Sequence, residues 1–181
     1  TVVFGRLAGA AAARHATESS SVLAACPHLD KMAQDESRHI EGLMSADRCE
    51  EAAVIRDELT TLMTEKVGVF RERASLEAAV ERIAELQVRY GEARVCYSGR
   101  RFNLALLRAL ELRGMLEVAA VIAAGALKRR ESRGGHYRTD YPERDDANWL
   151  HHTLAYRTDD GPDLRGKEVT ITTFQPQARK Y

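Results

Sequence analysis

The chain has 181 residues, enough for one domain with a substantial core and hardly enough for two. Lysine plus arginine and aspartate plus glutamate each number 27, giving a formal net charge of zero, which argues against a bulk electrostatic binder of nucleic acid. A hydrophobic share of 44% excludes a disordered tail. No apolar run reaches the roughly 18 residues of a membrane span. Cys26, Cys49 and Cys96 are too scattered for a disulfide framework or a CxxC pair, which suits a cytoplasm-like compartment.

In chain order, residues 2–16 (VVFGRLAGAAAARHA) predict a helix of small and apolar residues that needs packing to hold it. Residues 17–33 read as a linker, and a short helix is expected from about Gln34 to Ser45. Asp47, with Glu50 three residues on, is a candidate N-cap for a helix ending near Lys66. There Gly68 is expected to take a left-handed conformation. A further helix is predicted over 75–97, where Glu85 and Arg89 have the spacing of a favourable ion pair and Ser98-Gly99 ends the run. The helix over 101–130 carries leucine, valine and isoleucine on nearly every face. It should be the most buried, with Leu110 and Leu116 in the core. Lys128, Arg129 and Arg130 read as its solvated basic end.

After residue 131 the periodicity stops. Residues 131–149 mix charge, aromatics, glycine and proline as a loop. Residues 151–157 and 167–174 are predicted as two antiparallel strands, with a turn at Gly161-Pro162 and an extended tail behind them. The fold class is therefore mainly α: a three-helix-type core with a flanking N-terminal helix, then a loop and a small antiparallel β element.

The residues offer little catalytic chemistry. His136, His151 and His152, with Asp140, Asp145 and Asp146 nearby, have no metal-ligand spacing. Cys96 and Ser132 belong to no nucleophile motif. GRLAG at 5–9 lacks the glycine pattern and preceding strand of a dinucleotide site. The concentrated signal is the loop. Arg133, Arg138 and Arg144 can grip carboxylates in bidentate fashion, Gly134-Gly135 allows a tight path, and His136 can relay a proton or hydrogen-bond a backbone. These residues suit an interface latch or an anion clamp, with a chance surface as the third reading.

SRGGHYRTDYPERDDANWLHHTLAYR (132–157) resembles the C-terminal region of the succinate dehydrogenase and fumarate reductase flavoprotein subunits. VVFGRLAG (2–9), RDELTTLMTEKVGVFR (56–71), ELRGMLEVAAVIAAGALKRRESRGGH (111–136) and VTITTFQPQARKY (169–181) resemble further pieces in the same order. L-aspartate oxidases share a shorter form, and PERDDANWLHHTL after Tyr141 favours the dicarboxylate oxidoreductases. A freestanding helical adaptor that docks through 131–149 is the reading of a different class.

The resemblance implies a piece of a larger FAD-dependent protein. Residues 1–16 would end the flavin-binding domain, 17–48 would be a linker with a short helix, 49–130 the helical domain, and 131–181 a loop, two strands and tail. In that family a hydride passes between the flavin and succinate or fumarate, and electrons travel through an iron–sulfur subunit to or from quinone. The residues for flavin, substrate and proton transfer would all lie upstream, so no catalytic, cofactor-binding or metal residue is expected in this chain, nor any cofactor. The implied partners are the protein's own flavin-binding and capping domains, the iron–sulfur subunit and, in the parent only, a dicarboxylate; nucleic acid is not among them. The implied location is cytoplasmic, or peripheral on the cytoplasmic membrane face. Arg133, His136, Arg138, Arg144 and Asp145 become candidates for supporting or joining domains rather than touching substrate. Arg133 is expected to find its carboxylate or carbonyl partner on another surface, so that Arg133→Lys would change the stability of this chain alone by under about 1 kcal/mol.

Overall fold

The structure, a computed structural model, describes residues 2–19, 28–45, 50–97 and 99–177. It divides into two units, Thr1–His39 and Ile40–Tyr181. The first contains α1 (Val2–Glu18) and most of α2 (Leu29–Leu43). α1 buries none of its residues, and Val2, Val3, Phe4 and Leu7 are exposed. α2 starts earlier than the expected Gln34, with Asp30 in its first turn where a negative charge favours a helix start. The expected linker is helical at both its ends; residues 20–27 and Asp47 lie outside the described residues.

The second unit runs β1 (Glu50–Glu51), α3 (Ala52–Lys66), β2 (Phe70–Arg71), α4 (Arg73–Gly91), β3 (Ala93–Arg94), α5 (Leu104–Lys128), β4 (Tyr137–Arg138), α6 (Asp146–Trp149), β5 (His151–Thr158) and β6 (Gly161–Glu168). α3, α4 and α5 form an up-down-up bundle. At one end β1 pairs in parallel with β3, and at the other β2 pairs in parallel with β4. The fold is mainly α with a small antiparallel β5–β6 hairpin, as the sequence predicts.

The core follows the helical period. Ile55 and Leu59 of α3 meet Leu76, Ala79, Ile83 and Leu86 of α4 and Leu112 and Leu116 of α5, all essentially sealed from water. α5 turns an alternation of Ala109, Leu112, Leu116, Ala119, Ala123 and Ala126 inward; four alanines let the neighbouring helices approach closely. Tyr90 donates its hydroxyl to the Ala109 carbonyl at 2.8 Å, so its polar end is satisfied inside the core.

Several element ends differ from expectation for local reasons. α4 stops at Gly91 rather than near residue 97, because Ala93 and Arg94 are drawn into pairing with β1. α5 starts after Asn103, whose Oδ1 accepts the Leu106 amide at 2.8 Å. Gly68 does not have positive φ; a Cβ there would come 2.6 Å from the Thr64 carbonyl oxygen, so the position is fixed by close approach. Arg89 does not pair with Glu85. It forks onto Glu50 and reaches Glu58 at 2.6 Å, while Glu85 pairs with Arg82. The second strand is 161–168, not 167–174. Asp159 and Asp160 make the turn, Gly161 takes φ +106°, and Thr158 pairs with Gly161. Pro162 then sits in a strand of a two-stranded ribbon, where a missing N–H is tolerated.

α5 is apolar on more faces than the bundle covers. Leu104, Leu107 and Val118 are exposed, whereas Val121, Gly125 and Ala126 line a cleft with Ala155 and Leu164 of the hairpin. Leu116 is 1% exposed and Leu110 only half-buried. Leu116→Ala should therefore cost about 2–5 kcal/mol and Leu110→Ala clearly less, as read by urea unfolding.

Candidate functional site

The C-terminal end of α5 and the loop behind it form a closed charge network. Three arginines each fork onto a carboxylate two residues away. Arg133 donates from Nε and Nη2 to the two oxygens of Glu131 at 2.8 and 3.0 Å. Arg138 does the same to Asp140 at 2.7 and 2.7 Å. Arg144 grips Asp146 at 2.7 and 2.6 Å. A spacing of two keeps each acid within reach of the planar arginine fork: Asp140 lies in the turn that follows Arg138, and Asp146 at the start of α6.

Arg138 is 1% exposed and Glu131 fully buried, so each needs more than one partner. Arg138 Nη1 donates to the carbonyls of Ala126, Leu127 and Arg129 at 2.8, 3.1 and 3.1 Å. These include terminal carbonyls that α5 leaves unpaired, and a cation is favoured at that helix end. Asp140 also accepts the Arg73 amide at the start of α4, at 3.2 Å. One ion pair thus joins the end of α5 to the beginning of α4. Glu131 additionally accepts from Arg129 and from the Asp145 amide, the latter at 2.8 Å.

The backbone makes these meetings possible. Arg133 and His136 exchange both amide hydrogen bonds, at 2.8 and 3.0 Å, around Gly134-Gly135. Gly134 has φ +59°, the left-handed first position of a tight hairpin turn. Ser132 Oγ donates to the Tyr141 carbonyl at 2.8 Å and accepts the Arg138 amide at 2.9 Å, so its hydroxyl serves loop closure. Asp145 accepts from the Asn148 amide and side chain at 3.1 and 2.8 Å, which starts the short α6.

His136 is clamped from both sides. Its Nε2 stands 3.4 Å from the Arg129 carbonyl and its Nδ1 2.7 Å from Arg71 Nη1. A carbonyl only accepts and a guanidinium only donates, so Nε2 carries the proton and Nδ1 is bare. The ring is neutral: burial, and then the charge of Arg71, lower it from its usual 6.5. Burial pushes the Glu131 carboxyl up, but its bonds from Arg133, the Asp145 amide and Arg129 outweigh this and hold it below 4.5. Arg144 and then Arg133, which reaches Asp146 at 2.6 Å, bring Asp146 from 3.8 down to about 2.

All five residues singled out by sequence lie in or beside this network: Arg133, His136, Arg138, Arg144 and Asp145. The structure corrects two details. The Arg133 partners are inside this chain, Glu131 and Asp146, rather than on a separate surface. Arg129 is not a solvated helix-end charge; it binds Glu131, the carbonyls of Trp149 and His151 at 3.0 and 3.1 Å, and stacks over Trp149. Sequence reasoning missed Glu131, Arg129 and Arg71. The repeated acid–arginine spacing of two would have found Glu131; nothing local marks Arg71.

Among the described residues, no positive-φ glycine has the setting of a pyrophosphate cradle. Neither positive-φ glycine, Gly134 nor Gly161, sits between a strand and a helix that it opens, as a pyrophosphate cradle requires. Here every arginine fork is spent on the loop's own acids, so the arrangement stiffens the loop and joins elements.

The fold is that of a helical module whose exit loop is braced by ion pairs. The family model described as fumarate reductase flavoprotein C-term matches residues 56–181, and the chain belongs to that family. The fumarate reductase flavoprotein subunit of Haemophilus influenzae is 43% identical, over 99% of this chain and 30% of the relative. The succinate dehydrogenase flavoprotein subunit of Coxiella burnetii is 44% identical over 60% of this chain and 18% of the relative. A variant of the E. coli quinol fumarate reductase FrdA superposes with a TM-score of 0.85 at 39% identity, over 98% of this chain and 30% of that chain. The chain therefore spans about 30% of the length of fumarate reductase relatives that it matches almost end to end.

Three outcomes follow for the network. Glu131→Ala should cost about 3–5 kcal/mol in chemical denaturation, because it strips a buried partner from two arginines. Arg133→Lys should destabilise this chain measurably, since lysine cannot reproduce the fork. For pH, the unfolded state binds protons more readily at His136, so stability should already fall as pH drops through 6.5. His136→Gln should flatten that limb. A second loss, from Glu131 and Asp146, should set in below their unfolded values of 4.5 and 3.8, the Asp146 part continuing to about 2.

Proposed function

We propose that this chain is the C-terminal helical portion of a flavoprotein subunit that interconverts succinate and fumarate. The observation that carries the reading is the near-complete match of this chain to under a third of fumarate reductase flavoprotein relatives, in sequence and in fold. In the intact protein, FAD bound by the preceding portion supplies the redox chemistry. An iron–sulfur subunit relays electrons to or from quinone. The subunit is peripheral at the cytoplasmic membrane face; in this chain no described helix is long and apolar enough to cross a membrane.

Within that protein, residues 1–16 close the flavin-binding domain, 17–48 connect, 49–130 form the helical platform and 131–181 the loop, hairpin and tail. Arg133, His136, Arg138, Arg144 and Asp145 brace the platform end toward the flavin and capping domains. The relatives' printed names favour this reading over L-aspartate oxidase and over a freestanding adaptor.

The experiment is expression of the complete reading frame beside the 181-residue chain. The whole subunit should be yellow and interconvert succinate and fumarate with an artificial electron carrier, while the 181-residue chain should hold no stoichiometric flavin. A complete frame that oxidises aspartate but neither oxidises succinate nor reduces fumarate would overturn the assignment.

A further inference from the structure

Arg71 is fixed in place at the α5 exit without being neutralised. Its Nε donates to the carbonyls of Val67 and Gly68 at 3.1 and 2.9 Å, and its Nη1 to the bare Nδ1 of His136 at 2.7 Å. All three acceptors are uncharged. Arg129, Arg133, Arg138 and Arg144 each meet a carboxylate, whereas Arg71 pairs with none among the described residues. Burial acts on its acidity in the direction that disfavours the cation, and no acid opposes it. A guanidinium keeps its proton in proteins, so a full positive charge stays on a half-buried group. Its Nη2 makes no hydrogen bond among the described residues, which leaves that nitrogen's donors available.

The guanidinium and the His136 ring stand in the wall of a cleft of about 260 Å³ between α5 and the β5–β6 hairpin. The rest of the wall is largely apolar, with Val121 and Ile122 of α5, Ala155 of β5 and Leu164 of β6. Val121 and Ile122 are still exposed, at 37% and 43%, so an apolar body in the cleft has surface to cover. Arg129 also reaches the cleft, but its charge is taken up by Glu131. A concave, mostly apolar surface with one oriented polar group is the make-up of a small-ligand site. The volume falls below the roughly 300–1,000 Å³ of pockets for drug-sized ligands, so the ligand is small. One uncompensated charge and apolar walls call for one anionic group on an uncharged body.

We infer that this cleft binds a small free monocarboxylate, its carboxylate on Arg71 and its short aliphatic body against Val121, Ile122 and Leu164. His136 is a positioning residue. Its bare Nδ1 holds Nη1, so the guanidinium is oriented before the ligand arrives and less ordering is lost on binding. Carboxylate and guanidinium form charge-assisted bonds about twice as strong as neutral ones, and apolar walls keep out the water that would weaken them. A dicarboxylate fits poorly, because its second charge would lie against aliphatic groups without a partner. The inference goes beyond the flavoprotein reading and does not rest on it.

The test is calorimetric titration of butyrate, succinate and the neutral analogue butyramide into the complete subunit near neutral pH, with the 181-residue chain as a second arm. Ala155 is exposed on the hairpin, so Ala155→Phe fills the cleft without disturbing the core. One butyrate site should be present in the subunit and absent from Ala155→Phe, with melting unchanged. Arg71→Gln should weaken that site by about tenfold or more, as loss of a hydrogen bond to a charged group does. Butyrate should bind there about tenfold more tightly than succinate, and butyramide should not compete. The lack of any butyrate site that Ala155→Phe removes, an affinity for succinate equal to that for butyrate, or unaltered affinity in Arg71→Gln would each overturn the assignment. A site present in the 181-residue chain but missing from the complete subunit would show that the polypeptide fills the cleft with a carboxylate of its own, and would overturn a free ligand.

Discussion

Arg138 is the charge around which the second unit is organised. Putting a guanidinium out of reach of water costs several kcal/mol unless every donor finds an acceptor. Here Asp140 takes two of its donors, and the end of α5 supplies three carbonyls. Those carbonyls are the ones a helix terminus leaves unpaired, so one side chain settles two deficits at once. Because Asp140 also receives the first amide of α4, the arginine fixes where α5 ends relative to where α4 begins. The β2–β4 pairing and the Arg71–His136 contact depend on that registration.

Glu131 does the complementary work one step along the chain. It is a buried anion at the exit of a helix, where the terminus itself disfavours negative charge. Arg129 and Arg133 reverse that local field, and the Asp145 amide adds a neutral donor. The two buried ions are therefore not partners of each other. Each has its own opposite charge and backbone groups. Such pairs contribute little net stability compared with apolar packing, but removing one member is expensive. We read the network as a device for fixing conformation: it gives the loop a single shape.

The helices were legible because their apolar residues repeat at spacings of 3 and 4, as Leu76, Ala79, Ile83 and Leu86 do. Their ends were less so, because tertiary partners set them. Residues 93–94 leave the helical path to pair with β1, a partner more than forty positions away in register. The β6 strand was misplaced because the alternation in 167–174 is real, yet the turn at Asp159-Asp160 determines what can pair. In the loop, composition revealed the arginines and the glycine turn. The carboxylates they meet were visible too, but a bidentate arginine looks the same in sequence whether its acid is two residues away or on another molecule. Arg71 lies on another element, so nothing near His136 in sequence announces the guanidinium that, after burial, lowers its pKa.

The two ends of the bundle are built on opposite principles. At the α5 exit, the arginine forks are completed within the chain, and the aromatic rings of Trp149 and Tyr141 cover arginine faces. At the α5 entrance the arginines pair more loosely, Arg56 with Glu111 at 3.5 Å and Arg94 with Glu51 at 3.8 Å, and Phe102 is held exposed at a positive φ beside Asn103. The tight end adds rigidity, because each buried charge holds its partners in one geometry. The ordering entropy of the exit loop is spent when the bundle folds, so the register of α4 against α5 is set by contacts within the chain.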